Sequence, residues 1–166
     1  MFILFSAWAL AADIKVGETS LTQAVKDAKS GDRLILEGKT YKTCIDLDGK
    51  DLSFISDGGA TLDGGGRCAY AIVANLGENL ALKGLTLKNA KLGGIRVTKR
   101  KSSLSIDNVT FSQIGNSRSK YSALRLSAGE AFIENSRFNS NKAQKGSAIY
   151  ADKGAELLVY SSLFSQ

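Results

Sequence analysis

The chain has 166 residues, of which 43% are hydrophobic and 23% charged, a composition that suits one soluble domain with a buried core. It contains no histidine, which excludes Ser-His-Asp and Cys-His catalytic systems and the common zinc sites. The formal net charge of +6 suits an anionic polymer or surface as a partner, although such mild basicity is also common on inert proteins.

The first eleven residues are apolar and end in the small-x-small sequence Ala9-Leu10-Ala11. This pattern is typical of the end of a secretory signal peptide, although the usual basic start is missing; a buried N-terminal strand is the alternative. We expect residues 1–11 to be a signal peptide and residues 12–166 to form the mature domain. The protein is then exported to the extracellular space, the cell surface or the periplasm. The apolar stretch is too short for a transmembrane helix, and none is expected in the mature chain.

Residues 20–30 are predicted to form a helix. Ser20 and Gln23 make a capping-box pattern, and Gly31 suits the residue after the helix end. The apolar positions at helical spacing are Leu21, Ala24, Val25 and Ala28. A lone amphipathic helix before a run of strands is expected to cover the first layer of that structure.

Short strands follow the predicted helix. The first is expected at residues 32–38, and others follow at 39–41, 52–55 and 60–62, separated by glycine-rich turns. Cys44 and Cys68 lie 24 positions apart, close to one turn of the repeat described next. Stacked turns would bring them within disulfide range, and export favours oxidation, so we expect a Cys44–Cys68 disulfide. Two buried free thiols are the alternative.

The C-terminal half repeats one short pattern four times, at residues 80–87, 104–111, 131–138 and 157–164. Each copy contains two clipped strands, and the last residues of the copies are 24, 27 and 26 positions apart. Small or amide residues occupy the joints, where a sharp bend favours a positive φ. These joint residues are Gly84, Asn108, Asn135 and Ser161.

A second strand recurs between the copies, at residues 94–97, 122–126 and 147–150. Each repeat therefore has about three short strands and no helix, which is typical of a solenoid. A leucine-rich repeat would need a consensus frame that is not sustained here. The sequence predicts an all-β, right-handed parallel β-helix with a short N-terminal capping helix. Alternate apolar residues should stack inside it, including Ile106, Ile133 and Val159.

The second strand places charged residues at matching outward positions. Arg96 lies between Ile95 and Val97, Arg125 occupies the same place one repeat later, and Tyr150 falls in the same column. The turns before these strands add five cations: Lys91, Arg118, Lys120, Lys142 and Lys145. Together these eight residues are the predicted ligand-binding strip, suited to an acidic polysaccharide or an anionic cell surface. The alternative is a solvated basic face. Nucleic acid is not expected, because the protein is predicted to be exported.

Two groups of segments resemble known β-helix families. Residues 30–41, 52–56 and 60–66 are similar to the opening coils of pectate-lyase-like right-handed β-helix proteins. Phe138-Asn-Ser-Asn141 and Gly146-Ser-Ala-Ile-Tyr150 resemble the F-x-x-N and G-G-A-I repeats of polymorphic outer-membrane proteins, an autotransporter-like group, with Ser147 in place of a glycine. The resemblance implies the fold and a surface-displayed passenger module, and it is poorly specific for activity.

The catalytic motifs of the related enzymes are missing. Polygalacturonase-like relatives use Asn-Thr-Asp, Asp-Asp and Gly-His-Gly segments, and pectate-type lyases use an acidic calcium cluster and an arginine in R-x-P-x-x-R, whereas this chain has no proline. Five acidic residues are interpreted as solvated turn acids: Asp57, Asp63, Asp107, Glu130 and Glu134.

We therefore expect a non-catalytic, adhesive or carbohydrate-binding module without catalytic residues, metal or cofactor. The alternative is a polysaccharide lyase or glycoside hydrolase acting on an acidic polysaccharide. A purely structural spacer is the third reading. The chain stops at Gln166 directly after a strand pair, so we expect further coils or another domain to follow.

Overall fold

The protein is a parallel β-solenoid of about five turns in a computed structural model that describes residues 11–17, 20–99, 101–121, 123–152 and 154–165. The predicted signal peptide lies outside the described residues except for Ala11. All strand pairs in the described residues are parallel, as a coil that stacks on the preceding coil requires. The all-β solenoid prediction is confirmed.

Each complete turn contributes one strand to each of three sheets, and the turns at the two ends of the described chain contribute fewer. The first sheet contains β1 (Asp13–Val16), β2 (Arg33–Leu36), β5 (Leu52–Ile55), β8 (Asn79–Lys83), β11 (Ser103–Asp107), β14 (Gly129–Glu134) and β17 (Ala155–Tyr160). The second contains β3 (Thr40–Lys42), β6 (Thr61–Asp63), β9 (Thr86–Lys88), β12 (Thr110–Ser112), β15 (Arg137–Asn139) and β18 (Leu163–Ser165). The third contains β4 (Ile45–Asp46), β7 (Tyr70–Ala74), β10 (Gly93–Val97), β13 (Leu124–Leu126) and β16 (Ile149–Ala151).

The core is a set of apolar columns that run from coil to coil. Ile106, Ile133 and Val159 are successive partners in the first sheet, and the first two are fully buried. Val159 is partly buried and packs against the core, so the predicted stacking is confirmed. In the second sheet, the ring of Phe138 stacks on that of Phe111 at 4.7 Å and on that of Phe164 at 5.0 Å. These columns bury apolar surface at every step and hold the coils together.

The joints between the first two sheets adopt left-handed backbone conformations. The φ angles are +69° at Gly84, +53° at Asn108, +51° at Asn135 and +45° at Ser161, as the repeat predicts. A Cβ at Gly84 would overlap the carbonyl oxygen of Ser56, so this joint requires glycine for space as well as for φ.

The N-terminal helix is shorter than predicted. Helix α1 spans Leu21–Asp27, and the Ser20 side chain accepts a hydrogen bond from the Gln23 amide, as the capping-box pattern indicates. The helix ends at Ala28, whose backbone is extended, so the assignment of Gly31 as the residue after the helix end is wrong. The Gly31 amide instead donates to the Asp51 carbonyl at 2.6 Å.

Helix α1 closes the first coils as expected. Its buried face belongs to the same apolar core as the strands and consists of Leu21, Ala24 and Val25. The prediction that the first strand begins near residue 32 is wrong, because β1 precedes the helix and pairs with β2.

A disulfide joins two neighbouring coils. Cys44 and Cys68 are bonded with a Cα–Cα distance of 5.5 Å, so the predicted pairing is confirmed. The bond ties the segment between β3 and β4 to the turn that leads into β7.

Candidate functional site: an arginine and tyrosine strip on the third sheet

The outer face of the third sheet carries the central residues of the predicted strip. Arg96 pairs with Arg125 and Arg125 pairs with Tyr150 in the β10–β13–β16 ladder. The neighbours of both arginines along their strands, such as Ile95 and Val97, are buried, so alternation turns the two arginine side chains outward. Adjacent strands lie about 4.8 Å apart, which places the two arginines one coil apart on the same face.

Two tyrosines hold the guanidinium groups in place. Cζ of Arg125 lies 4.4 Å from the centroid of the Tyr121 ring, and Cζ of Arg96 lies 5.5 Å from that of Tyr70. The Tyr121 ring also contacts the Tyr150 ring at 4.2 Å with an interplanar angle of 41°. We call Tyr70, Arg96, Tyr121, Arg125 and Tyr150 the arginine–tyrosine strip. Cation–π contact fixes both cations on aromatic surfaces.

Neither arginine has a counter-ion among the described residues. The Nε atoms of Arg96 and Arg125 are buried and lack a hydrogen-bond partner within the described part of the chain. Like charges directly opposite each other on a sheet are destabilising. A bound anion that spans both guanidinium groups would remove this repulsion, and arginine is the side chain best suited to binding carboxylates and other oxyanions.

Tyr121 interacts with Lys120 in the basic turn and with Tyr150 on the next coil. The hydrogen bond from Lys120 lowers the pKa of Tyr121, and a hydrogen bond from Tyr150 lowers it further. The same bond raises the pKa of Tyr150, which acts as the donor. Lys120 Nζ also lies 5.2 Å from the centroid of the Tyr121 ring, so this lysine extends the strip toward the turn.

The other predicted cations are less closely associated with the strip. Lys145 stacks on Lys120 through a backbone hydrogen bond of 3.0 Å, so the two residues lie on adjacent coils. Lys91, Arg118 and Lys142 are exposed, and no side-chain contact among the described residues joins them to the arginines. Ser122, at the predicted start of one strip strand, lies outside the described residues.

Sequence reasoning missed Tyr70 and Tyr121 as parts of the site. Tyr70 is the first residue of β7 and Tyr121 precedes β13, at positions where turns of unequal length obscure the repeat. The closeness of Tyr121 to the strand of Arg125 was an available signal for that ring. Tyr70 gave none, because it lies on β7, one coil before the strand of Arg96.

The interpretation of the five acids as turn residues is wrong for four of them. Asp63, Asp107, Glu130 and Glu134 all lie in strands, and only Asp57 lies in a bend. Alternation explains their placement, because outward strand positions accept charged side chains as readily as turns do.

Asp63 and Asp107 have structural partners. Burial opposes ionisation of Asp63, but hydrogen bonds from the Gly65 amide and the Asn89 side chain outweigh it and lower the pKa of Asp63. A hydrogen bond from Asn135 and an ion pair with Lys83 at 3.0 Å lower the pKa of Asp107. Through these contacts both carboxylates hold neighbouring coils together.

Within the described residues, no group of three or more His, Cys, Asp or Glu side chains could hold a metal ion. None of the helices found there is long and apolar enough to cross a membrane. Comparison of the chain with protein-family models, curated proteins and solved structures finds no match. The geometry of the arginine–tyrosine strip is therefore the basis for a functional hypothesis.

Proposed function

We propose that the protein is a non-catalytic β-helix module that binds an anionic glycan or an anionic cell surface through the arginine–tyrosine strip. The observation that carries this proposal is the direct pairing of Arg96 with Arg125, two cations held on aromatic rings without an acidic partner in the described chain. A surface that only needed to be soluble would gain nothing from placing like charges opposite each other.

The chemistry of the strip suits a charged sugar polymer. Guanidinium groups form paired hydrogen bonds with carboxylates and other oxyanions. The partly exposed rings of Tyr70 and Tyr150 offer aromatic surface beside them, whereas the Tyr121 ring is buried beneath Arg125. The strip runs from coil to coil, parallel to the solenoid axis. A linear glycan aligned with that axis would meet Tyr70, the two arginines and Tyr150 in turn.

The proposed setting is outside the cytoplasm, in secreted form or displayed on the cell surface. The Cys44–Cys68 disulfide supports it, because such bonds persist in oxidising compartments. The apolar first eleven residues support it as well. We include in the proposal a right-handed coil, the usual hand of crossovers between parallel strands, and the kinship with pectate-lyase-like and autotransporter passenger proteins that the sequence resemblance implies.

Glycan binding by matched variants tests the proposal. The Arg96→Ala/Arg125→Ala double variant should lose binding to polyuronates, heparin-like glycans and whole cells. The Lys15→Ala/Lys26→Ala variant removes the same charge from exposed positions far from the strip and should retain binding. An Arg96→Lys/Arg125→Lys variant should show intermediate affinity, because it keeps the charge and loses the planar fork.

Equal loss in both alanine variants would mean that net charge alone drives binding, which contradicts a defined site. Absence of binding by the unaltered protein across the glycan set would support the spacer alternative. Unsaturated product formed from polygalacturonate in the presence of calcium, detected by ultraviolet absorbance, would support the lyase alternative.

A further inference from the structure

Charged side chains that are partners in the outer ladders mostly alternate in sign. Arg33 lies opposite Asp13 and forms an ion pair with it at 3.3 Å. In the second sheet Asp63 lies between Lys42 and Lys88 and pairs with Lys88 at 3.7 Å. Such alternation is expected, since ladder partners are close enough for opposite charges to attract.

Two like-charged pairs break this rule without a counter-ion in the described chain. One is Arg96 with Arg125, and the other is Glu130 with Glu156 on strands β14 and β17 of the first sheet. Asp107 and Glu134 are also partners, but Asp107 is already paired with Lys83.

The glutamate pair borders an exposed apolar cluster. Phe132, Leu158 and Tyr160 are 39%, 49% and 52% exposed, and the Phe132 and Tyr160 rings lie 5.8 Å apart. Phe132 is the ladder partner of Leu158, and Glu134 is the partner of Tyr160. We call these outward side chains the carboxylate face: Glu130, Phe132, Glu134, Glu156, Leu158 and Tyr160. An apolar centre with a charged rim has the anatomy of a protein interface.

We propose that the carboxylate face binds the arginine–tyrosine strip of a second copy of the chain. In both pairs the like charges are separated by one ladder step, which strand spacing sets at about 4.8 Å. Two carboxylates at this spacing on one copy can therefore meet two guanidinium groups at the same spacing on another. Each unpaired charge gains a partner, and the apolar cluster gains the tyrosines of the strip as neighbours.

This contact joins two different surfaces, so it is heterologous. The carboxylate face lies on the first sheet and the strip on the third, so each copy would offer one free strip and one free carboxylate face. Repetition gives a chain of molecules that grows with protein concentration and dissolves with salt, unless geometry closes it into a ring. The inference does not depend on glycan binding, although an anionic glycan bound to the strip would compete with the second copy.

Sedimentation of two variants, alone and mixed, tests the inference without glycan. Arg96→Ala/Arg125→Ala removes the strip and keeps the carboxylate face, whereas Glu130→Ala/Glu156→Ala does the reverse. At low salt the unaltered protein should form oligomers, and each variant alone should remain monomeric. Their equimolar mixture should form a one-to-one dimer and grow no further, because each variant retains only the surface that the other lacks.

An Asp27→Ala/Asp57→Ala variant removes two exposed carboxylates elsewhere and should associate like the unaltered protein. Circular dichroism checks that every variant is folded. A monomeric unaltered protein at the highest soluble concentration would overturn the inference, as would association of either strip or face variant alone. A mixture that stays monomeric would do the same. Glycan binding by Glu130→Ala/Glu156→Ala should persist, so failure here and failure of the proposed function are distinguishable.

Discussion

Arg96 and Arg125 are direct partners in the ladder between β10 and β13, which brings two guanidinium groups of the same charge onto adjacent coils. The buried apolar residues on either side of each arginine fix this arrangement. Neither cation forms an ion pair within the described chain, and under the proposed function an external anion is the counter-ion.

Substitution of a single strip arginine should leave the fold intact. Arg96→Gln removes the cation–π contact with Tyr70 but also relieves the repulsion from Arg125, and the two effects oppose each other. We expect the free energy of unfolding to change by less than about 1 kcal/mol, as for most surface substitutions, measured by urea denaturation. A decrease in the free energy of unfolding several times larger than this would show that the arginine pair stabilises the fold.

Truncation within the core column should be costly. Ile133 is fully buried between Ile106 and Val159, so Ile133→Ala should lower the free energy of unfolding by about 2–5 kcal/mol. Phe132→Ala on the same strand provides the control, because Phe132 points outward and is 39% exposed. If both variants lost the same stability in urea denaturation, the assignment of inward and outward positions would be contradicted.

The first joint should tolerate no side chain. Gly84→Ala combines an unfavourable φ of +69° with overlap between the new Cβ and the Ser56 carbonyl oxygen. Gly65→Ala shares a positive φ, +57°, but its Cβ would meet nothing within 4 Å. We expect about 1 kcal/mol of destabilisation for Gly65→Ala and clearly more for Gly84→Ala, measured by thermal unfolding. Equal destabilisation by the two substitutions would show that the Ser56 carbonyl oxygen can move away from the new Cβ without loss of stability.

Reduction of the disulfide should weaken the N-terminal coils. The Cys44–Cys68 bond closes a loop across a sequence separation of 24 residues, and its loss should lower the free energy of unfolding by about 3 kcal/mol. Cys44→Ser/Cys68→Ser should match the reduced protein and should not respond to reductant. A reductant effect that persists in the double variant would show that the bond is not its cause.

Acid should destabilise the fold in part through Asp63. Its hydrogen bonds hold the folded-state pKa below the ordinary value of 3.8, so the folded state favours the ionised form. The resulting stabilisation is complete above the unfolded-state pKa and is lost as the pH falls through the folded-state value. Asp63→Asn should therefore lower stability near neutral pH and flatten its decline below about pH 4 in unfolding titrations. If the stability of Asp63→Asn fell as steeply below this pH as that of the unaltered protein, Asp63 would not be a cause of the acid destabilisation.

Much of the fold and part of the site could be predicted from alternation. Arg125 lies between two leucines just as Arg96 lies between Ile95 and Val97, and the ladder places the arginines as that pattern predicts. Tyr70 and Tyr121 were missed because turn lengths vary between coils, so sequence spacing does not show which ring reaches which cation. The helix end was misplaced because Ala28 adopts an extended backbone, although its side chain continues the apolar face.

The pair of Glu130 and Glu156 could not be predicted from the sequence for a different reason. Glu130 and Glu156 occupy equivalent places in aligned repeats, yet an acidic residue on the outer face gives no local signal that separates strand from turn. Only the register between β14 and β17 makes the two glutamates direct partners on the outer face.

The most direct test of the central claim is a calorimetric titration of a heparin-like glycan into the unaltered protein and into Arg96→Gln at several salt concentrations. If the strip binds the anion, Arg96→Gln should bind more weakly by at least about 1 kcal/mol, roughly fivefold, and its affinity should depend less steeply on salt. Identical affinities and identical salt dependence for the two proteins would contradict the assignment of the strip as the binding site.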